Sequence, residues 1–174
     1  MKKILVILFI NLTLTAFSQN SVNVSITVPN IALMDIAPNN TAFSLNLVAP
    51  TEAGNAVSIS PTNSTKWVNF SSAVVTGITR KITAQLSGTL PQGLNLKLVV
   101  SNYAGSGAGA LGTSAGTLVL SSTAQIIINN IGGAFTADGA SNGYNLNYSL
   151  EIADFALLVG QTKTFSVIYT LSDN

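Results

Sequence analysis

Apolar and polar residues alternate along much of the chain, as they do in β-strands that have one face in a core and one in water. The alternation is clearest over residues 43–47, 94–100, 144–152 and 165–171. Breakers rich in Pro, Gly and Asn separate these runs at intervals of roughly 8–12 residues, and helical periodicity is essentially absent after residue 18. The pattern predicts an all-β, antiparallel sandwich of about 8–10 strands.

The first alternating run of this region opens the stretch SVNVSITVPNIALMDI, residues 21–36. Its polar residues Asn23, Ser25 and Thr27 lie between four apolar ones, which are Val22, Val24, Ile26 and Val28. We expect these four side chains to define a strand that joins sheets. Such a strand either completes the fold of its own chain or is donated to a neighbouring copy, and the pattern alone leaves both possibilities open.

The start of the chain predicts export. Lys2 and Lys3 precede an apolar run over residues 4–14, and the small residues Ala16 and Ser18 follow it. These features are typical of a secretory signal peptide over residues 1–18, with cleavage before Gln19. We therefore expect a mature chain of residues 19–174 that forms one domain and is located in the periplasm, on the cell surface or outside the cell.

Charge and length limit the partners of the mature chain. Without Lys2 and Lys3, five basic residues face six acidic ones, a formal charge of −1. This balance argues against nucleic acid and against an acidic membrane surface, since either requires a clustered basic patch. The apolar run of the signal is short for a membrane span, so we expect no span after cleavage.

The residue inventory argues against catalysis and against a cofactor. The chain has neither histidine nor cysteine, which excludes Ser-His-Asp and Cys-His catalysis, thiolate metal sites and disulfides. A glycosidase needs only two opposed carboxyl groups, so the count alone leaves that route open, but the few carboxylates are distributed over separate predicted strands and turns. The loop of residues 135–145 offers oxygen donors but lacks the regularly spaced acidic ligands of a calcium loop. We therefore predict a protein that is not an enzyme and has no catalytic residue, no metal site and no cofactor.

Aromatic residues provide an alternative function. In the run TKWVNF, Val68 and Phe70 share one strand face while Trp67 points to the other. Trp67 is then either an outward platform for a sugar ring or a partner, or a ring buried by a bulge or a second layer. Together with Tyr103 and Tyr144, it gives a candidate set of stacking aromatics for a stand-alone extracellular glycan-binding module.

Three local features carry further expectations. The stretch AGSGAGALGTSAG, residues 104–116, consists almost entirely of small residues and predicts a mobile loop. Residues 151–161 have a pattern that allows one turn of helix. Arg80 shares the inward face of its strand with Ile82, and we expect its stem to pack near a strand end while its head reaches water.

Both ends of the mature chain resemble a known group of proteins. The opening SVNVSITVPNIALMDI and the closing KTFSVIYTLSDN, which contains Tyr169, are similar to the ends of secreted pilin-like domains of the spore-coat-U type, the archaic chaperone–usher subunits. The middle of the chain resembles uncharacterised secreted bacterial proteins of the same layout. The resemblance implies an incomplete immunoglobulin-like sandwich whose first segment is given to another subunit, although the cysteine pair usual in these pilins is absent.

These observations together predict a non-enzymatic exported protein with a structural or adhesive role on a bacterial surface. In this interpretation it is a fimbrial subunit assembled by strand donation, and its partners are copies of itself or related subunits. The alternative is a glycan-binding sandwich whose partner is a glycan or another surface ligand.

Overall fold

The computed structural model describes residues 19–174, and the predicted signal peptide lies outside the described residues. The described chain forms seven strands of seven residues or more: β1 (Ile31–Ala37), β4 (Asn63–Ala73), β5 (Arg80–Ser87), β6 (Leu94–Ala104), β10 (Gln125–Ile131), β12 (Gly143–Ile152) and β13 (Ser166–Asp173). Shorter strands lie between them: β2 (Leu47–Val48), β3 (Ser58–Ile59), β7 (Ala108–Gly109), β8 (Thr113–Ser114), β9 (Thr117–Val119) and β11 (Ala134–Phe135). A 3₁₀ turn, Phe155–Leu157, precedes β13.

Two antiparallel sheets make up the sandwich, and β2 and β3 form a separate small pair. In the large sheet the hydrogen-bonded order is β7-β11-β4-β12-β6-β9. β11 and β12 pair with different stretches of one edge of β4, and β1 pairs with its other edge. In the small sheet the order is β13-β5-β10-β8. The orders β1-β4-β12-β6 and β5-β13 correspond to strands A-B-E-D and C-F of an immunoglobulin-like sandwich. The predicted all-β sandwich is therefore confirmed.

The core lies between the two sheets. β6 and β12 contribute alternate residues to it from the large sheet, and β5 does so from the small one. β10 instead contributes the adjacent Ile127 and Ile128 and then Ile131, because its pairing with β5 is irregular. Leu98 on β6 and Tyr148 on β12 are register partners in the large sheet, and both are buried. Ile82 on β5 and Ile128 on β10 are register partners in the small sheet and are buried too. Alternation thus predicted the inward faces of β5, β6 and β12 correctly, because each of these strands packs one face on the other sheet.

Residues 43–47 correct one expected strand. Only Leu47 of this run lies in a strand, although Leu45 packs against the core; Phe43 is 36 % exposed. The ring of Phe43 packs on that of Tyr148 with 4.8 Å between centroids. Apolar contact, not a ladder of hydrogen bonds, accounts for the alternation here.

The small-residue stretch of residues 104–116, which its composition predicted to be a loop between strands, includes two short strands. These are β7 and β8, and the glycines of the stretch let backbones approach closely. A Cβ on Gly107 would lie 2.1 Å from the carbonyl oxygen of Phe135. The helical turn expected within residues 151–161 is present, and the carboxylate of Asp154 caps it by accepting a hydrogen bond from the Ala156 amide at 2.9 Å.

Arg80 closes one end of the sandwich. It is 4 % exposed and therefore inward, as predicted, but its head meets protein groups instead of water. The guanidinium donates to Asp173 Oδ1 at 2.9 Å, to the carbonyl of Ile31 and to the side chain of Asn30. We call this the closed end; the opposite end, where β6 and β13 begin, is the open end.

Within residues 19–174, every helix is too short or too polar to span a membrane.

Candidate functional site

The segment of residues 21–30, in which apolar and polar residues alternate, lies outside both sheets. Val22, Val24, Ile26 and Val28 are each at least 77 % exposed. In this structure the segment joins neither sheet of its own chain, and its pairing with a neighbouring copy stays a prediction. An alternating pattern specifies an apolar partner for one face, but it does not specify which molecule supplies that partner.

Asn30 fixes the place where this segment leaves the fold. Its side-chain oxygen accepts a hydrogen bond from Arg80, and the next residue, Ile31, begins β1. Since Arg80 also binds Asp173, the segment departs from the closed end, beside the last residues of β13.

An unpaired strand edge lies along the same side of the molecule. β13 pairs with β5 over its whole length, from Ser166 opposite Ser87 to Asp173 opposite Arg80. Along its other edge, no strand within residues 19–174 pairs with it. β13 contains neither Pro nor Lys, residues that commonly protect edge strands from pairing. Its backbone is therefore open to another strand.

An apolar groove of about 950 Å³ runs beside this edge. Buried Leu96 and Tyr148 and half-buried apolar side chains from both sheets line its inner part, and polar residues of 40–46 and 161–164 line its rim. The half-buried members that matter here are Ile36, Leu45, Leu94, Leu150, Val167 and Tyr169. Val167 and Tyr169 face the core, yet they stay partly exposed because β13 is an edge strand and β1 is not paired with it.

Two tyrosines join the sheets across the groove. The hydroxyl groups of Tyr148 on β12 and Tyr169 on β13 are hydrogen-bonded to each other. Burial raises the pKa of Tyr148 to about 12, an effect that the hydrogen bond to Tyr169 partly offsets. Burial, followed by the proximity of Tyr148, also raises the pKa of Tyr169. Both phenols are therefore neutral near pH 7, where they serve as hydrogen-bonding groups.

Lys66 shapes the wall of the groove at the open end. It is 6 % exposed, and its ammonium group donates to the backbone carbonyl of Asn39 at 2.9 Å and to that residue's side-chain oxygen at 3.1 Å. These bonds hold residues 39–41 against β4. Sequence reasoning missed this role because Lys66 belongs to no charge cluster.

The three candidate stacking aromatics do not form one surface. Trp67 is half-buried on the outer face of β4, whereas Tyr144 is 1 % exposed and donates its hydroxyl to the carbonyl of Leu111 at 3.0 Å. Tyr103 is half-buried beside Tyr144, with 5.9 Å between ring centroids. The buried ring of Tyr144 is not accessible to a sugar, which corrects its assignment as a binding residue.

Metal-binding geometry is not found in the part of the chain that the structure describes: no three acidic side chains of residues 19–174 come together as potential ligands.

No protein-family model matches the chain, and comparisons with curated protein sequences and with solved structures found no match either. The geometry of the exposed segment, the strand edge and the groove is therefore the basis for a functional proposal.

Proposed function

We propose that this protein is a structural subunit of an exported surface fibre, in which one copy donates residues 21–28 to the next. The donated segment would add as a strand to the free edge of β13, and its apolar side chains would fill the groove. One observation carries the proposal: the same chain exposes an alternating apolar segment and, elsewhere, an apolar groove beside an unpaired strand edge. Strand addition of this kind combines backbone hydrogen bonds with pockets for alternate side chains.

The dimensions of the two parts agree. At about 3.3 Å per residue, the six steps from Val22 to Val28 span roughly 20 Å. The eight residues of β13 span about 23 Å on the same measure. Alternation then places Asn23, Ser25 and Thr27 on the solvent side of the added strand. The segment therefore fits the edge in length and in pattern.

Burial of the four apolar side chains provides the main driving force. At roughly 1.5–3 kcal/mol for each fully buried Val or Ile, the gross gain is about 6–12 kcal/mol. Ordering the segment and associating two chains reduce this gain. The gross term is nevertheless as large as the stability of a typical domain, so an occupied groove should differ measurably from an open one.

The direction of the added strand decides between a fibre and a closed monomer. A strand antiparallel to β13 brings Val28 to the open end, so the donor body lies beyond that end. The acceptor's own segment leaves from its closed end, and the contact therefore repeats head to tail without closing. If a chain instead folds its own segment back through a turn at Pro29 and Asn30, the strand runs parallel to β13 and the protein is a monomer.

The donor side is tested with a charge placed on either face of the segment. We expect purified residues 19–174 to form polymers, measured by light scattering and electron microscopy. Val24→Asp combined with Ile26→Asp should abolish them and leave a folded monomer, because two carboxylates cannot enter an apolar groove unpaired. The matched control, Asn23→Asp with Thr27→Asp, adds the same charge on the solvent face and should still polymerise.

The acceptor side is tested with a synthetic peptide of residues 20–30. Added to the Val24→Asp/Ile26→Asp monomer, it should bind and raise the melting temperature, whereas a peptide carrying the same two Asp substitutions should not. A wild-type chain that stays monomeric and gains no stability from the peptide would instead indicate that each chain fills its own groove, and would refute donation.

A further inference from the structure

We infer that consecutive subunits touch through a second contact, in which the closed end of the donor packs on the open end of the acceptor. This inference rests on the proposed strand donation. The donor contributes the closed-end turn, residues 74–79 between β4 and β5. The acceptor contributes the open-end loop, residues 153–165 between β12 and β13. The partner is therefore a second copy of this chain.

Both surfaces expose apolar side chains that their own fold leaves uncovered. On the closed-end turn, Val75 is 59 % exposed and Ile78 is 39 % exposed. On the open-end loop, Phe155 and Val159 are 54 % and 67 % exposed. The closed-end turn projects because the Ile78 amide donates to the Val75 carbonyl at 3.1 Å, a tight turn that carries Gly77 at a φ of 84°.

The two surfaces lie at opposite ends of one molecule. Thr79 accepts a hydrogen bond from the Asn174 amide at 2.9 Å, which places the closed-end turn beside the end of β13. The amide of Asp154 donates to the carbonyl of Gly93 at 3.1 Å, which places the open-end loop where β6 begins. The eight residues of β5 separate the two ends by about 23 Å. The two surfaces therefore meet only between molecules.

The spacer between the donated strand and the donor body is too short to keep the two ends apart. Only Pro29 and Asn30 separate Val28 from Ile31, the first residue of β1. Three steps of chain span at most about 10 Å. In the donor, Asn30 and Ile31 are bound by Arg80 at the closed end. With Val28 beside the start of the acceptor's β13, the donor's closed end must lie next to the acceptor's open-end loop.

The chemistry of the two surfaces is compatible. The closed-end turn has no charged residue, and the open-end loop has one of each sign, Asp154 and Lys163. Phe155 and Val159 also line the groove, so an apolar contact there continues the surface that the donated strand covers. Burial of exposed apolar surface on both sides stabilises the junction without removing unpaired charges from water.

Disulfide cross-linking tests this contact directly, because the chain has no natural cysteine. In Ile78→Cys/Phe155→Cys, mild oxidation should yield a ladder of covalent oligomers on a denaturing gel. An intramolecular bridge is excluded, since a disulfide needs Cα atoms about 4.4–6.8 Å apart. The matched control is Ile78→Cys/Val99→Cys, in which Val99 is an exposed residue on the middle of β6, and it should give no ladder.

A second variant tests the same contact without cross-linking. Val75→Ser/Ile78→Ser should raise the critical concentration for polymers about tenfold, equivalent to about 1.4 kcal/mol per junction. The melting temperature of its monomer should stay close to that of a wild-type monomer, because both side chains are exposed. An unchanged critical concentration, or polymers without a ladder above the control, would refute the end-to-end contact and leave strand donation intact. A wild-type chain that never polymerises would refute both proposals.

Discussion

Neighbouring residues of β12 should contribute very differently to stability because they face opposite sides of the large sheet. Tyr148 is 2 % exposed, packs against Phe43 and joins β13 through its hydroxyl. We expect Tyr148→Ala to lower the free energy of unfolding by about 3–5 kcal/mol, the range for large aromatic truncations in cores. Asn147→Ala, on the outer face, should change it by less than about 0.5 kcal/mol. Urea melts measure both, and equal losses would show that the register of β12 is wrong.

The same tyrosine should make stability depend on alkaline pH. Its pKa is about 12 in the folded chain, against 10.0 for an exposed phenol, so between these values the unfolded state has lost a proton that the folded state keeps. The stabilisation is complete below pH 10 and is lost as pH rises toward 12. Two units of pKa correspond to about 2–3 kcal/mol.

Tyr148→Phe tests this linkage. The variant should lose the hydrogen bond to Tyr169 and be less stable near neutral pH, yet its free energy of unfolding should fall less steeply than that of the wild type above pH 10. Urea unfolding at a series of alkaline pH values provides the measurement. Parallel profiles for the two proteins would contradict the assignment of the raised pKa to burial of Tyr148.

The strands β7 and β11 depend on glycines that leave room for neighbouring backbone. A Cβ at Gly107 would lie 2.1 Å from the Phe135 carbonyl and 2.6 Å from the Tyr103 hydroxyl oxygen, so the adjoining strands would have to move. We expect Gly107→Ala to destabilise the protein by about 1–3 kcal/mol, as overpacking usually does. At Gly133 an added Cβ meets nothing within 4 Å, and Gly133→Ala should be neutral or slightly stabilising. Thermal melts measure both variants, and equal melting temperatures would contradict the close approach at Gly107.

These elements also show what alternation along the sequence reveals and what it omits. The inward faces of β6 and β12 were predictable because every second residue reports which side is buried. The short strands β7 and β8 within residues 104–116 were not predictable, because glycine has no side chain whose character indicates a buried or an exposed face. The run of residues 43–47 indicated the inward side of Leu45, but neither the exposure of Phe43 nor the absence of backbone pairing at residues 43–46.

The groove could not be predicted from the sequence, because it forms between strands that are distant along the chain and are not paired with each other. Ile36 on β1 and Val167 on β13 line it from positions far apart in sequence. Val22, Val24, Ile26 and Val28 were recognisable as a strand face, whereas their exposure depends on the whole fold. The candidate site was therefore half predictable: its segment was, and the surface proposed to receive it was not.

The two sheets of the sandwich are linked by the hydrogen bonds of Arg80 at the closed end, and they are separated by the groove at the open end. The guanidinium reaches Asp173 on β13, the Ile31 carbonyl on β1 and the Ser72 hydroxyl on β4, at 3.1 Å for the last. One buried side chain thus connects the edge strand of the small sheet to two strands of the large sheet. Toward the open end, two lysines of the described residues bind locally: Lys66 donates to Asn39, and Lys97 pairs with Glu151 on the neighbouring strand of the same sheet.

Removal of Arg80 should cost more than removal of its charged partner. Arg80→Ala leaves the carbonyl of Ile31 and the hydroxyl of Ser72 without their donor, and a buried polar group that loses its partner costs about 1–3 kcal/mol. We therefore expect the free energy of unfolding to fall by about 2–5 kcal/mol. Asp173→Asn removes the counter-charge of buried Arg80, but the Asn oxygen can still accept from the guanidinium and the site at residue 173 is 60 % exposed to water, so this variant should cost about 1–2 kcal/mol. Urea melts of the two variants separate these contributions, and a loss in Asp173→Asn as large as that in Arg80→Ala would show that the ion pair, not the link between the sheets, holds the closed end together.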